Sequence, residues 1–236
     1  MKRILILSAL IGIGLFQSCK KNKSDEPNKY VCSSCVSAPE AKSENDNKSS
    51  GVYKAVVTGS SGTIAFYIQN GNNEVKAIIN FDGKTAVLTT TYFNTWQAGS
   101  AISNAQFSGV LDGKNITASL SVNADGTNPS LTMNIPGHTI SVVIFKETSQ
   151  SLVRGFEGSY EGDEKGVLNI LMMGEEYTVI VDGNALTRRQ QLKNGKVEFT
   201  SSGTTVNGAF LSESELKGTW SNTDKEKGTW QAKRTL

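Results

Sequence analysis

Two cysteines and a single histidine are the residues of this chain with the widest chemical range. Cys32 and Cys35 form a Cys-x-x-Cys pair, a spacing used by thiol–disulfide enzymes and by structural zinc sites. A redox enzyme would place the pair at the start of a helix in a βαβ unit, and no such pattern surrounds it. A zinc site would need two more ligands, and His138 is the single histidine. We interpret the pair as a local disulfide or an exposed pair without chemistry, and we expect no metal and no cofactor.

Hydrolytic chemistry has two further candidates. His138 lies in a Pro-Gly-His turn, and no Gly-x-Ser-x-Gly nucleophile motif accompanies it. The other candidate is a run of acidic residues around Gly158, which could supply the two carboxylates of a glycosidase: Glu157, Glu161, Asp163 and Glu164. Acidic residues beside glycine and lysine are also typical of solvated hairpin tips. We therefore predict no catalytic residue and keep a β-sandwich hydrolase as an alternative.

Three tryptophans could bind sugar rings by stacking. They are Trp96, Trp220 and Trp230, and a large apolar ring with one N–H group suits either a glycan platform or the edge of a core. Both interpretations remain open at this level.

The first nineteen residues have the parts of a bacterial export signal. Lys2 and Arg3 precede an apolar run from Ile4 to Phe16, which is shorter than the roughly 20 residues of a spanning helix. The run ends in Leu-Phe-Gln-Ser-Cys19, which resembles the lipobox of bacterial lipoproteins. The resemblance implies that residues 1–18 are a signal peptide, that Cys19 is lipidated, and that acyl chains anchor the protein in the cell envelope.

Residues 19–50 have the composition of a flexible linker. They are rich in Lys, Ser, Asn and Glu and carry no periodic apolar pattern, so they bury too little surface to offset the entropy of ordering. Ser24-Asp25-Glu26 resembles the acidic export tag of bacteroidete-type surface lipoproteins. The expected location is therefore the outer membrane, with surface exposure and a periplasmic face as the two alternatives.

From residue 51 onward the sequence is typical of an antiparallel all-β protein. Short alternating apolar runs are separated by Gly, Asn and Asp turns, among them Asp82-Gly83 and Asp182-Gly183. Residues 91–105 are the least regular, with room for one helical turn, and the next run begins at Ile116. Corresponding motifs, a Gly-x-Tyr start and an aliphatic hairpin that ends at Asp-Gly, predict two divergent β-repeats, residues 51–146 and 158–236, joined by a connector, residues 147–157. The spacing from Tyr to Asp-Gly differs, 29 against 22 residues, which indicates that loop lengths have changed. A sandwich or a meander barrel would result.

The C-terminal end contains a repeated tripeptide. Gly218-Thr219-Trp220 and Gly228-Thr229-Trp230 resemble the Gly-Thr-Trp hairpins of secreted bacterial β-meander proteins, and streptavidin-like and lipocalin-like barrels use a similar dipeptide. Glycine allows close approach of the backbone, and the tryptophan covers an end of the core.

Charge gives little support for binding to nucleic acid. Loss of Lys2 and Arg3 would take the net charge from +2 to 0, and no basic patch with interleaved aromatic residues occurs. Our leading hypothesis is a lipid-anchored envelope protein with a non-enzymatic binding or structural role, whose partner is a glycan or a protein. The alternatives are a periplasmic carrier of a small apolar ligand and the hydrolase, and the oligomeric state is left open.

Overall fold

The computed structural model describes residues 29–58, 61–185 and 189–236. The described chain is built from seventeen β-strands and two short 3-10 helices, Ser43–Asn45 and Tyr92–Asn94. The strands are β1 (Gly51–Thr58), β2 (Gly62–Ile68), β3 (Val75–Phe81), β4 (Lys84–Leu88), β5 (Ile102–Leu111), β6 (Lys114–Val122), β7 (Ser130–Asn134), β8 (Ser141–Glu147), β9 (Val153–Gly162), β10 (Gly166–Met173), β11 (Glu176–Val181), β12 (Asn184–Ala185), β13 (Gln190–Gln191), β14 (Lys196–Ser201), β15 (Thr204–Ser212), β16 (Glu215–Ser221) and β17 (Lys227–Arg234). The described pairings are antiparallel, so the all-β prediction is confirmed.

The N-terminal unit, residues 51–147, consists of two sheets around one core. A five-stranded sheet has the order β4-β3-β2-β1-β8, and a three-stranded sheet has the order β5-β6-β7. A bridge between Thr89 and Ser108 joins the sheets on one side. Alternate residues of both sheets point inward, and the core is filled by large side chains that include Tyr53, Phe66 and Phe107.

The C-terminal barrel, residues 153–234, is one nearly closed sheet. Its order is β12-β11-β10-β9-β17-β16-β15-β14, and β13 also pairs with β11. The hydroxyl of Tyr177 on β11 bridges to β14, where it accepts a hydrogen bond from the Glu198 amide and donates one to its carbonyl, both at 3.1 Å. One side chain therefore supplies the hydrogen bonds where the two sheet edges meet.

The strand bounds differ from the sequence prediction in two places. Strand β5 begins within the irregular stretch 91–105 and continues to Leu111 through residues that were assigned no strand, and the expected helical turn forms only at Tyr92–Asn94. Strand β9 begins at Val153, so five residues rather than the predicted 147–157 separate β8 from β9. The Asp-Gly turns follow the third strand of each unit, while the proposed duplication itself stays a prediction.

The two units pack against each other through an apolar patch. Outward-facing residues of β1 and β8 meet residues of β9, β10 and β11 in one buried cluster: Val56, Phe145, Val153, Leu171 and Ile180. Glu157 of β9 also accepts hydrogen bonds from the Ser61 hydroxyl and the Gly62 amide, at 2.7 and 3.0 Å. Polar and apolar contacts therefore both join the units.

Residues 29–50, which we call the strap, lie against both units. The Tyr30 hydroxyl donates to the carbonyl of Arg234, and the Arg234 guanidinium donates to the carbonyl of Val36. Closer to β1, the Lys146 ammonium donates to the carbonyls of Asn45 and Lys48. Burial lowers the pKa of Lys146 to about 8. The prediction of a flexible linker is therefore wrong for the strap, because distant residues satisfy its polar groups.

A buried ion pair fixes the middle of the strap. The Lys54 ammonium lies 2.7 Å from Glu147 and 2.8 Å from Glu40, and the side chains of Lys54 and Glu147 are 1% and 0% exposed. Glu147 also accepts from the backbone amides of Glu40 and Val153. One carboxylate therefore connects β1, the strap and the start of the C-terminal barrel.

We predict that Glu147→Gln destabilises the protein by about 3 kcal/mol or more, because it leaves the buried Lys54 ammonium with Glu40, a half-buried carboxylate, as its one charged partner. Urea unfolding of the variant measures this loss. Glu74→Gln is the matched control, since Glu74 pairs with Lys76 at the surface and its loss should cost under about 1 kcal/mol. Equal effects of the two substitutions would contradict the role assigned to Glu147.

Candidate functional site

The three cysteines fall in different parts of the chain. Cys19 lies outside the described residues. Cys32 and Cys35 form a disulfide with a Cα–Cα distance of 5.4 Å, in the part of the strap that crosses the C-terminal barrel. The Cys32 amide donates to the Ser214 hydroxyl. The disulfide therefore closes a small loop where the strap is attached.

The candidate hydrolytic residues do not converge on one groove. His138 is exposed, and its ring packs edge-on against Phe81 with centroids 4.9 Å apart. Glu157, Glu161 and Glu164 line three separate depressions. Within the described residues, no cluster of three or more His, Cys, Asp or Glu side chains could hold a metal ion.

The three tryptophans divide between the two units. Trp96 is half-buried at the edge of the N-terminal core, where its ring lies 5.2 Å from Phe93 and its N–H donates to the Ala101 carbonyl. Trp220 and Trp230 are 7% and 3% exposed and belong to the core of the C-terminal barrel. The fold therefore does not bring the three indoles together in a single platform.

Trp220 and Trp230 are placed by the glycines of the repeated tripeptide. Strands β16 and β17 pair so that Trp220 is opposite Gly228 and Trp230 is opposite Gly218. A methyl group on Gly228 would lie 2.5 Å from Nε1 of Trp220, and one on Gly218 would lie 2.6 Å from Nε1 of Trp230. Each indole therefore lies across the glycine of the neighbouring strand.

Each indole reaches over that glycine to the strand beyond. Nε1 of Trp220 donates to the Glu161 carbonyl on β9 at 3.3 Å, and Nε1 of Trp230 donates to the Asn207 carbonyl on β15 at 3.2 Å. The N–H groups are thus satisfied inside the barrel wall. One face of each ring covers backbone, which leaves the other face directed toward the interior.

These rings line a pocket in the C-terminal barrel, which we call the tryptophan pocket. Its volume is about 110 Å³. The walls combine aromatic and aliphatic side chains with a polar rim: Tyr160, Trp220, Trp230, Leu168, Val179, Val181, Val206, Thr204, Asn222 and Glu164. The rings of Tyr160 and Trp220 meet at 90° with centroids 5.9 Å apart. The pocket therefore offers an apolar interior with polar groups at one end.

The rim lies at the end of the barrel where the turns 163–165, 182–183, 202–203 and 222–226 come together. The Tyr160 hydroxyl donates to Asp182 at 2.7 Å. Burial, the Asp182 hydrogen bond and nearby carboxylates raise the pKa of Tyr160 to about 12, so this tyrosine stays neutral. Glu164 is exposed beside it.

No described helix is long and apolar enough to cross a membrane. Comparison with protein-family models, with curated proteins and with solved structures gives no match for this chain. The function must therefore be argued from the geometry of the site and from the sequence.

Sequence reasoning missed most of the pocket. It selected Trp220 and Trp230, with Tyr160 among further aromatic candidates, but gave no role to Leu168, Val181 or Asn222. The available signal was the repeat itself, since two Gly-Thr-Trp units ten residues apart are spaced to face each other across a hairpin.

We predict that Gly218→Ala destabilises the barrel by about 1–3 kcal/mol, because the added methyl group displaces the Trp230 indole and overlaps the backbone of β15. Denaturant unfolding followed by tryptophan emission gives the value. Thr219→Ala serves as the control, since that side chain points outward and is exposed; its effect should stay within about 0.5 kcal/mol. A neutral Gly218→Ala would show that the glycine is not required.

Proposed function

We propose that this chain is a lipid-anchored, non-enzymatic binding protein of the bacterial cell envelope, and that the tryptophan pocket is its binding site. The observation that supports this most strongly is the pair of indoles whose inner faces line a pocket beneath a polar rim. Binding pockets combine apolar walls with a few polar groups in this way.

The size of the pocket restricts the ligand. A cavity of about 150 Å³ accepts benzene, and the tryptophan pocket measures about 110 Å³. It has room for one compact apolar group and not for a long acyl chain. The rest of a larger ligand would extend past the rim, so the pocket would recognise an end group.

The interior of the N-terminal unit supports a different role for that unit. Phe66 and Phe107 meet edge-to-face at 5.0 Å in its centre, and both are fully buried. A core filled in this way stabilises the fold. We assign the N-terminal unit to holding the strap and the C-terminal barrel in place.

The position of the strap restricts where the pocket lies relative to the anchor. Lys29 is the first residue that the structure describes, and it follows Cys19 by ten positions. Ten residues span at most about 35 Å. With Cys19 in the membrane, the C-terminal barrel would therefore stay within a few nanometres of the bilayer.

The hydrolase alternative has less geometric support. Glu161 and Glu198 share a shallow depression on the outer face of the barrel, but β17, β16 and β15 separate their strands. Four strand spacings amount to about 19 Å, whereas glycosidase carboxylates lie about 5–10 Å apart. Glu161 and Glu198 therefore do not form a carboxylate pair that could act together on one glycosidic bond.

We predict that Val181→Phe blocks the pocket. Val181 lines it, and the larger ring would occupy the space that the ligand needs. Chloroform is the probe, because it is more compact than benzene and its chlorine atoms quench indole emission on contact. The readout is the tryptophan emission in a Trp96→Phe background, so that Trp220 and Trp230 supply the whole indole signal. Wild-type pockets should show saturable quenching that the variant abolishes.

Val167→Phe is the matched control, because Val167 is 52% exposed on the outer face of the barrel and its replacement should leave the titration unchanged. Linear, unsaturable quenching in every chain would mean that chloroform does not enter a pocket and would refute the proposed site.

The anchor has its own test. We predict that wild-type protein partitions into the membrane fraction and that Cys19→Ala releases it, because the acyl chains supply the membrane affinity. Fractionation with immunodetection measures this, and Cys32→Ala with Cys35→Ala controls for loss of cysteine in general. Retention of Cys19→Ala in membranes would show that the lipoprotein assignment is wrong.

A further inference from the structure

We propose that the tryptophan pocket binds a trimethylammonium group, the cationic end of choline-like compounds. This inference rests on the proposed function, since it names the ligand class of the same pocket. Three observations support it: three aromatic side chains, one carboxylate at the rim and an acidic barrel end. Each makes a different contribution to the binding of a cation.

The aromatic contribution to cation binding comes from the inner faces of the indoles. Trp220 and Trp230 each cover backbone with one face, so the opposite face borders the pocket. The Tyr160 ring stands perpendicular to Trp220 at 5.9 Å. The face of an aromatic ring carries negative charge density and attracts a cation within about 6 Å of its centre. The pocket thus presents a cation with aromatic surface on more than one side.

The aliphatic walls distinguish a methylated cation from a simple ammonium. Leu168, Val179 and Val206 are buried core residues and offer no hydrogen-bond acceptor. A primary ammonium carries three N–H donors and would lose its hydration without replacement. A trimethylammonium group has no N–H, and its methyl groups can pack directly on these walls.

Long-range charge favours the same class of ligand. The four turns at the rim contain five acidic residues, Asp163, Glu164, Asp182, Asp224 and Glu226, and two basic ones, Lys165 and Lys225. With Lys227 at the start of β17 the net charge is 3 − 5 = −2. A negative field at the mouth raises the local concentration of a cation. An anionic or neutral apolar ligand would gain nothing from it.

Glu164 is the group that adds specificity. It lines the pocket at the rim and is exposed, so it can approach the positive group without the cost of burying a carboxylate. Its counterpart at the opposite end of the barrel is Glu175, an exposed residue of the β10–β11 turn, which provides a control of the same type.

Isothermal titration calorimetry of the full chain with two isosteric ligands tests the inference. Choline is compared with its neutral analogue, in which a tert-butyl group replaces trimethylammonium. We expect choline to bind roughly tenfold more tightly. Glu164→Gln should weaken choline binding about threefold and leave the neutral analogue unchanged, while Glu175→Gln should change neither.

The outcomes separate the two claims. Equal affinity for both ligands would overturn the cation inference and leave the proposed pocket standing. Binding of neither ligand, together with the absence of a saturable chloroform titration, would overturn both. Tight choline binding that Val181→Phe does not reduce would place the cation elsewhere and would also overturn the inference.

Vesicles distinguish a lipid headgroup from a free compound as the source of the cation. The Cys19→Ala chain, which cannot be acylated at that residue, is sedimented with phosphatidylcholine or with phosphatidylglycerol vesicles. Choline-sensitive binding to phosphatidylcholine alone supports a lipid headgroup. Choline binding in solution without sedimentation supports a free small molecule, and both results support the trimethylammonium assignment.

Discussion

The packing of each indole on a glycine of the neighbouring strand is the contact on which the C-terminal barrel and its pocket depend. The register of β16 and β17 places Trp220 on Gly228 and Trp230 on Gly218, and their N–H groups end on carbonyls of β9 and β15. Two large rings are thereby held flat against the wall. Rings that pointed into the interior instead would fill it, and no pocket would remain.

The second constraint lies in the strap. Glu147 connects it to β1 and to the first residue of β9, and Arg234 near the C-terminus holds its beginning. The strap therefore contacts both units as well as the patch that joins them. If the chain is anchored at Cys19, this arrangement orients the barrel relative to the membrane more closely than a free linker would. The proposed binding site then has a restricted distance from the bilayer.

The sequence predicted the all-β class and most strands, and it singled out Trp220 and Trp230, because alternation, glycine turns and a repeated tripeptide are local signals. Strand β5 was missed because a bulge between Ile102 and Ala105, with Asn104 at a φ of 51°, breaks the alternation. The strap was misjudged because its partners are remote: Glu40 contacts Glu147, 107 residues away. Composition alone carries no information about such partners. To predict the pocket, one would need the register of the β16–β17 hairpin. The repeated tripeptide indicates that a hairpin forms but does not specify its register.

The most direct test of this account is the chemical shift of the three indole N–H groups during titration with choline. Amide and indole resonances of the ¹⁵N-labelled chain would be assigned by replacing each tryptophan in turn. We expect the Trp220 and Trp230 signals to move together and saturate, while the Trp96 signal stays in place. Shifts confined to Trp96, or equal drift of all three signals, would contradict a binding site inside the C-terminal barrel.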